Sequence, residues 1–178
     1  LKALEELKSL LEPLDTELAL SFAPASQLLA SVLKENHKVL VCGNGGSATQ
    51  ASHLAAELVV RFKTDRPAFG AIALSDAAIL TAAGNDYGFE RVFSRQVEAL
   101  GRPGDLLVAL STSGTSANVL EAIATARHRG LRTLGISGKL GLNCDVDVRI
   151  PSTSTARIQE CTLLIIHLLC ESLDREST

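Results

Sequence analysis

The chain has 178 residues, a net charge of −3, 21% charged and 46% hydrophobic residues, and 3% aromatics. That length supports one domain with a substantial core, built from Leu, Ile, Val and Ala rather than from rings. Without a basic half or aromatic platforms, and without an apolar run near the ~20 residues of a membrane span, neither a nucleic-acid nor a membrane partner is expected.

Taken in chain order, Leu4, Leu7, Leu10, Leu11, Leu14 and Leu18 recur at three- and four-residue steps. They predict an amphipathic helix over 1–20, which Pro13 kinks or divides. A second helix is predicted over 25–35. The apolar run 38–42 (KVLVC) reads as a strand, followed by the glycine-rich stretch 43–47 and a helix over 48–61. A strand follows over 71–74, then a short helix or turn over 76–83. The polar stretch 84–88 (GNDYG) reads as a turn with an N-cap, and 87–100 as helical. The run 105–110 (DLLVAL) is a strand, 111–116 (STSGTS) a turn, and 116–129 a helix with Gly130 as its C-cap. Strands over 132–136 and 146–150 and a long helix over 156–175 complete the chain. Strands that alternate with helices and read as continuous apolar runs imply a parallel sheet covered on both faces. The fold class predicted is α/β, a three-layer sandwich with a five-stranded parallel sheet, flavodoxin-like, in one domain over 1–178.

The cysteines are Cys42, Cys144, Cys161 and Cys170, and none forms a Cys-x-x-Cys pair. They read as reduced thiols, most of them in apolar runs, of a cytoplasmic protein. No leader-like segment is read at the start of the chain. Because the chain opens on Leu1 and contains no methionine, further natural residues are expected upstream.

Ligands of open α/β sheets bind outside the carboxyl ends of the strands. Two strand ends carry unusual turns. Ser111, Thr112, Ser113 and Ser116 set hydroxyl donors before a helix N-terminus, where backbone N–H groups and the helix dipole favour an anion. No Lys follows in a GxxxxGK[ST] pattern, so this is not a nucleotide P-loop. An N-cap in a solvated turn is the bland alternative. The second turn, 42–47 (CGNGGS), lets the backbone approach a ligand closely, although it matches a dinucleotide fingerprint only loosely.

The helix after that second turn carries His53 and Glu57 one turn apart on one face, with Arg61 continuing the line. This pair is a candidate for metal binding or acid–base work. Gln159 and His167 lie on the last helix, about 12 Å apart along its axis. His167 sits in an apolar run, a costly place for an unpartnered imidazole. It serves either as a hydrogen-bonded core residue or as a site residue. The spacing lets both reach one ion only by leaning together, unless one of them serves a neighbouring subunit.

The stretches CGNGGSA, HLAAE, RFKTDRPA, AAGNDYGF, FSRQV, LSTSGTSANV and ARIQE, with His167 eight residues past Gln159, cover about 39–174. Together they resemble the sugar isomerase (SIS) domain family, and within it the bacterial group that isomerises sedoheptulose 7-phosphate. The resemblance implies that Asn44, Gly45, Gly46, Ser47, Asn85 and Asp86 contact the sugar phosphate. Glu57, Arg61 and Gln159 join that set, and Ser111, Thr112, Ser113 and Ser116 hold the phosphate. It implies one zinc ion per subunit on His53, Glu57, Gln159 and His167, with Glu57 and His167 also the catalytic acid–base pair. It implies a homotetramer with active sites at subunit interfaces, in which the N-terminal helices over 1–36 pack. The activity implied is conversion to D-glycero-D-manno-heptose 7-phosphate, for lipopolysaccharide heptose precursors. Two departures stand out. The family often has a longer Gly/Lys-rich loop where this chain runs 137–143, so residues are expected to be missing there. Some relatives carry Asp where this chain has Ala156, and no catalytic role transfers to that position. Two alternatives stay open: a non-catalytic SIS protein that binds the replication initiator, and another sugar-phosphate isomerase.

Overall fold

A computed structural model describes residues 1–176. Five parallel strands lie in the order β2-β1-β3-β4-β5: β1 (Val39–Gly43), β2 (Ala71–Ala73), β3 (Leu106–Ser111), β4 (Arg132–Ser137) and β5 (Val146–Arg149). Six α-helices cover them: α1 (Lys2–Lys34), α2 (Gly46–Val59), α3 (Ala77–Tyr87), α4 (Ser94–Leu100), α5 (Ala117–His128) and α6 (Thr155–Glu176). This is the expected three-layer α/β sandwich, with the flavodoxin-like strand order.

The two-residue period of the strands builds both faces. Val39, Val41, Leu106, Val108 and Leu110 point to one side, into a core closed by α1, α2 and α6. Leu40, Cys42, Leu107 and Ala109 point to the other, into a core closed by α3, α4 and α5. Every residue of β1 and β3 is buried, which is why both read as unbroken apolar runs. Burial pushes the Cys42 thiol up to about 12, with Cys144 adding to it, so Cys42 is an inert core group as its apolar run suggested.

The predicted elements differ from those observed in two regions. The N-terminal segment is one helix of 33 residues, with Pro13 and Pro24 inside it, rather than two helices. Each proline removes one backbone hydrogen bond. Leu10, Leu14, Ala25, Leu29, Val32 and Leu33 are buried on both sides of the prolines, so packing against β5 and α6 holds the axis through them. The second difference is at 84–88. The expected turn is the last turn of α3, which runs to Tyr87 and stops at Gly88, where φ is +86°. The helical stretch expected over 87–100 is a short 3₁₀ turn, Phe89–Arg91, followed by α4.

From the neighbours β1 and β3 the chain leaves in opposite directions along the sheet, to β2 and to β4. The crevice at their carboxyl ends is the topological switch point, where such sheets bind ligands. The glycine loop 43–46 follows β1 and the Ser/Thr turn follows β3, so both candidate turns meet there.

Candidate functional site

After β3 the hydroxyls converge. Ser111 Oγ lies 3.5 Å from Ser113 Oγ and 3.3 Å from Ser116 Oγ, and Ser113 Oγ lies 3.5 Å from Ser116 Oγ. Two of them also accept from the turn itself: the Gly114 N–H donates to Ser111 Oγ and the Thr115 N–H to Ser113 Oγ, each at 3.1 Å. The turn reverses at Gly114, whose φ of +73° suits glycine. Ser116 is the N-cap residue of α5, but its side chain makes no capping bond. Its hydroxyl instead completes a triangle in front of the open N–H groups of the first helical turn. Three small donors at a helix N-terminus have the chemistry of an anion cradle. Thr112 lies in the same turn, outside the triangle.

Across the crevice Gly45 takes φ +55° and ψ −122° as the N-cap of α2. These are the angles of the first central position of a type II′ turn, which glycine dominates. The Asn44 side chain exchanges two hydrogen bonds with Asn118 of α5, at 2.9 and 2.8 Å. Ser47 is buried in the first turn of α2.

His53 stands about two turns along α2 from the glycine loop. Its Nε2 lies 3.2 Å from Glu57 Oε1 and 3.0 Å from His167 Nε2 of α6. The spacing of His53 and Glu57 therefore brings them together as expected, and His167 joins them from a helix 114 residues away in sequence. Two ligands on a tetrahedral zinc at 2.0–2.1 Å sit about 3.3 Å apart. The contacts around His53 are close to that spacing, and imidazole and carboxylate are suitable zinc donors. The fit is partial, because among the described residues no three His, Cys, Asp or Glu side chains form a ready cage. Gln159 has other neighbours. Its amide lies against Gly46, so that a Cβ there would be 2.4 Å from Gln159 Nε2. Its carbonyl accepts from Gln50 Nε2 at 2.6 Å.

The remaining expected residues stand apart from this cluster. Helix α2 ends at Val59, so Arg61 does not continue the His53–Glu57 line; its guanidinium donates to the Lys63 carbonyl at 3.3 Å. Asn85 and Asp86 are exposed on α3, where Asn85 Nδ2 donates to Asp86 Oδ1 at 2.8 Å. Asp86 lines a mostly apolar groove of about 510 Å³ between α3 and α4, with Ile79, Tyr87 and Arg95.

The RFKTDRPA stretch acquires a job that sequence reasoning missed. Phe62 stacks on the His167 ring, with centroids 5.3 Å apart and planes 29° apart. Arg66 caps α2, donating to the carbonyls of Glu57 at 2.7 Å and Leu58 at 3.0 Å. Its Nε lies 3.4 Å from Asp174 Oδ1 of α6. The other carboxylate oxygen of Asp174 accepts from the N–H groups of Lys63 and Thr64 at 2.9 and 3.0 Å. Burial pushes the Asp174 carboxyl up, but the backbone bonds from Thr64 and Lys63, with Arg66 beside it, hold it below the usual carboxylate range. One buried ion pair thus ties the helix of His53 and Glu57 to the helix of His167. Nothing periodic marks these contacts; the only local signal was a polar, proline-ended stretch after a helix.

Hydroxyls gathered before α5, with imidazole and carboxylate groups on α2 and α6 across the same crevice, define an α/β domain built like those that handle phosphosugars. Similarity to known proteins narrows that class. A model of the SIS domain matches residues 4–138. Phosphoheptose isomerase of Campylobacter concisus is 54% identical over 155 residues, covering 84% of this chain and 82% of that protein. That of Geotalea daltonii is 48% identical, covering 97% and 96%. The solved phosphoheptose isomerase of Neisseria gonorrhoeae superposes with a TM-score of 0.91 at 40% identity, covering 98% of this chain and 96% of that one. The chain belongs to the SIS domain family and, within it, to the phosphoheptose isomerases.

Proposed function

We propose that this chain converts sedoheptulose 7-phosphate to D-glycero-D-manno-heptose 7-phosphate, in the cytoplasm, for heptose precursors of lipopolysaccharide. The observation that carries the reading is the pairing of a lysine-free hydroxyl cradle with the His53–Glu57–His167 cluster. The cradle holds the phosphate through Ser111, Ser113 and Ser116, with Thr112 beside them. The backbone of Gly45 and Gly46 and the side chain of Ser47 face the sugar from the opposite loop.

The reaction moves a carbonyl from C2 to C1. Glu57 takes a proton from C1 while the C2 oxygen gains one, giving an enediol. The C1 oxygen then loses its proton and C2 is protonated, which leaves the aldehyde. Glu57 is half-buried and held at its backbone by Arg66. His167, fixed by the Phe62 ring and by His53, manages the oxygen protons. His53, Glu57 and His167 would hold zinc, with Gln159 as the fourth ligand. When bound, zinc supplies Lewis-acid polarisation of the carbonyl.

Exposed Leu4, Leu11 and Leu20 on α1 support the reading that residues 1–36 pack in a homotetramer. In that assembly Asn85, Asp86 and Arg61 contribute to sites shared between copies, and 1–178 acts as one SIS unit. The test combines metal analysis of the purified protein with turnover of phosphoketoses of five, six and seven carbons. One zinc per subunit and preference for the seven-carbon substrate are expected. A folded, metal-free protein inert on all three would instead favour the non-catalytic binding module.

A further inference from the structure

We propose that Asn118 is a positioning residue that sets the gap between the phosphate cradle and the glycine loop, acting through Asn44. The two amides form a closed ring of two bonds: Asn44 Nδ2 donates to Asn118 Oδ1 at 2.9 Å, and Asn118 Nδ2 donates to Asn44 Oδ1 at 2.8 Å. Asn118 is buried, 3% exposed, two residues beyond Ser116 of the hydroxyl triangle. Asn44 immediately precedes Gly45 and Gly46, which start the helix of His53 and Glu57. Ladder pairing between β1 and β3 runs only as far as Gly43 and Leu110. Beyond that point α2 and α5 leave for opposite faces of the sheet, and the amide pair bridges the two loops.

The chemistry of the pair suits this place. Each primary amide offers one acceptor and two donors, so two of them can satisfy each other reciprocally and remain neutral. A carboxylate at position 118 would set oxygen against Asn44 Oδ1 and put negative charge beside an anion cradle. A hydroxyl is too short to make both bonds. The Asn44 side chain is therefore a strut between loops, with one N–H and one lone pair left over for the sugar contact that the sequence suggested. One end of a phosphosugar is held on α5 and the other is presented to α2. The strut then decides whether the reacting carbons arrive in register, and a misplacement near 1 Å can cost about 10²-fold in rate.

The inference rests on the activity proposed above for its substrate, and the experiment keeps the two apart. Asn44→Ala, Asn118→Ala and the double variant are compared with the wild-type chain in kcat/KM for sedoheptulose 7-phosphate and in calorimetric affinity for inorganic phosphate. Each single change is expected to lower kcat/KM by about 10- to 100-fold. The double variant is expected to be no worse than the weaker single, with phosphate affinity held within about threefold throughout. Multiplying effects would make Asn44 and Asn118 independent and overturn the proposal. So would a loss of inorganic-phosphate affinity as large as the loss for the sugar phosphate, or wild-type kinetics in Asn118→Ala. If Asn118→Ala does not fold, Asn44→Ala breaks the same pair from its more exposed side. Should the wild-type chain fail to turn the substrate over, the activity is wrong and the same cycle is read in affinity for sedoheptulose 7-phosphate. Non-additivity there still supports the strut, and absence of any binding removes both proposals.

Discussion

Gly46→Ala separates a kinetic effect from a thermodynamic one. The added Cβ would lie 2.4 Å from Gln159 Nε2, 2.8 Å from Cδ and 3.0 Å from Oε1, where ordinary contact begins at 3.4 Å. The amide of Gln159 must therefore retreat by about 1 Å, the scale at which misplacement can cost 10²-fold. Its backbone stays, because Gln50 holds the Gln159 carbonyl at 2.6 Å. Position 46 is helical, and alanine is the better helix former there by up to about 1 kcal/mol. Stability should change by less than about 1 kcal/mol, or roughly 2–4 °C in Tm for a chain of this size. In contrast kcat/KM should fall by up to about 10²-fold, or about 2.7 kcal/mol of transition-state stabilisation. Gly45→Ala is the counterpart. Its Cβ would meet nothing within 4 Å, but φ is +55°, a strain of about 1–3 kcal/mol for a residue with a side chain. Thermal melts and steady-state kinetics on both variants give the answer. Gly46→Ala with kcat/KM within about threefold of wild type, or melting below Gly45→Ala, would refute the reasoning.

Glu57→Gln should leave the melting curve in place and reduce kcat by at least about 10³-fold; substantial turnover would remove Glu57 as the base. Ser113→Ala takes one corner from the hydroxyl triangle, remote from the proton transfer, and should chiefly raise KM, by about tenfold. A change confined to kcat would count against the phosphate assignment. Asp105 is a structural prediction at the other end of the sheet. Burial pushes its carboxyl up, but the Lys38 side chain and the N–H groups of Lys38 and Arg102 outweigh this and hold it below the usual range. A lowered folded-state pKa gives stability that is present above the unfolded pKa of about 3.9 and lost as pH falls through the folded one. Asp105→Asn should therefore cost about 2–3 kcal/mol near neutrality. In denaturant titrations that gap should shrink below about pH 4, and a gap independent of pH would refute the assignment.

Much of this architecture could be read from residue order alone. Apolar runs at 38–42 and 105–110 became β1 and β3 because both faces of the sheet are covered. The Ser/Thr turn and the His53–Glu57 pair were legible because each is local, within six residues of itself. Long-range contacts were not legible from period or spacing, and the His53–His167 pairing was reached only through the family resemblance. Asn118 lies 74 residues from Asn44, and His167 lies 114 from His53, so no period or spacing marks either contact. Proline propensity argued for a break in α1, and burial of leucines on both sides of Pro13 overrode it. Arg61 was placed by extending a helical face beyond the point where the helix stops.

The hydroxyl triangle has a consequence for how tightly anything is held there. Its oxygens stand 3.3–3.5 Å apart, so each can rotate its hydrogen toward a neighbour when no anion is bound. Release of a phosphate then lets the hydroxyls return to self-pairing by rotation alone, while the N–H groups of the first turn of α5 return to water. The grip is also neutral. Its three hydroxyls carry no charge that a Debye layer could screen. Salt should therefore reach anion capture here only through the dipole of α5 and through charges outside the triangle, and the hydroxyls themselves let go of a product as readily as they take a substrate.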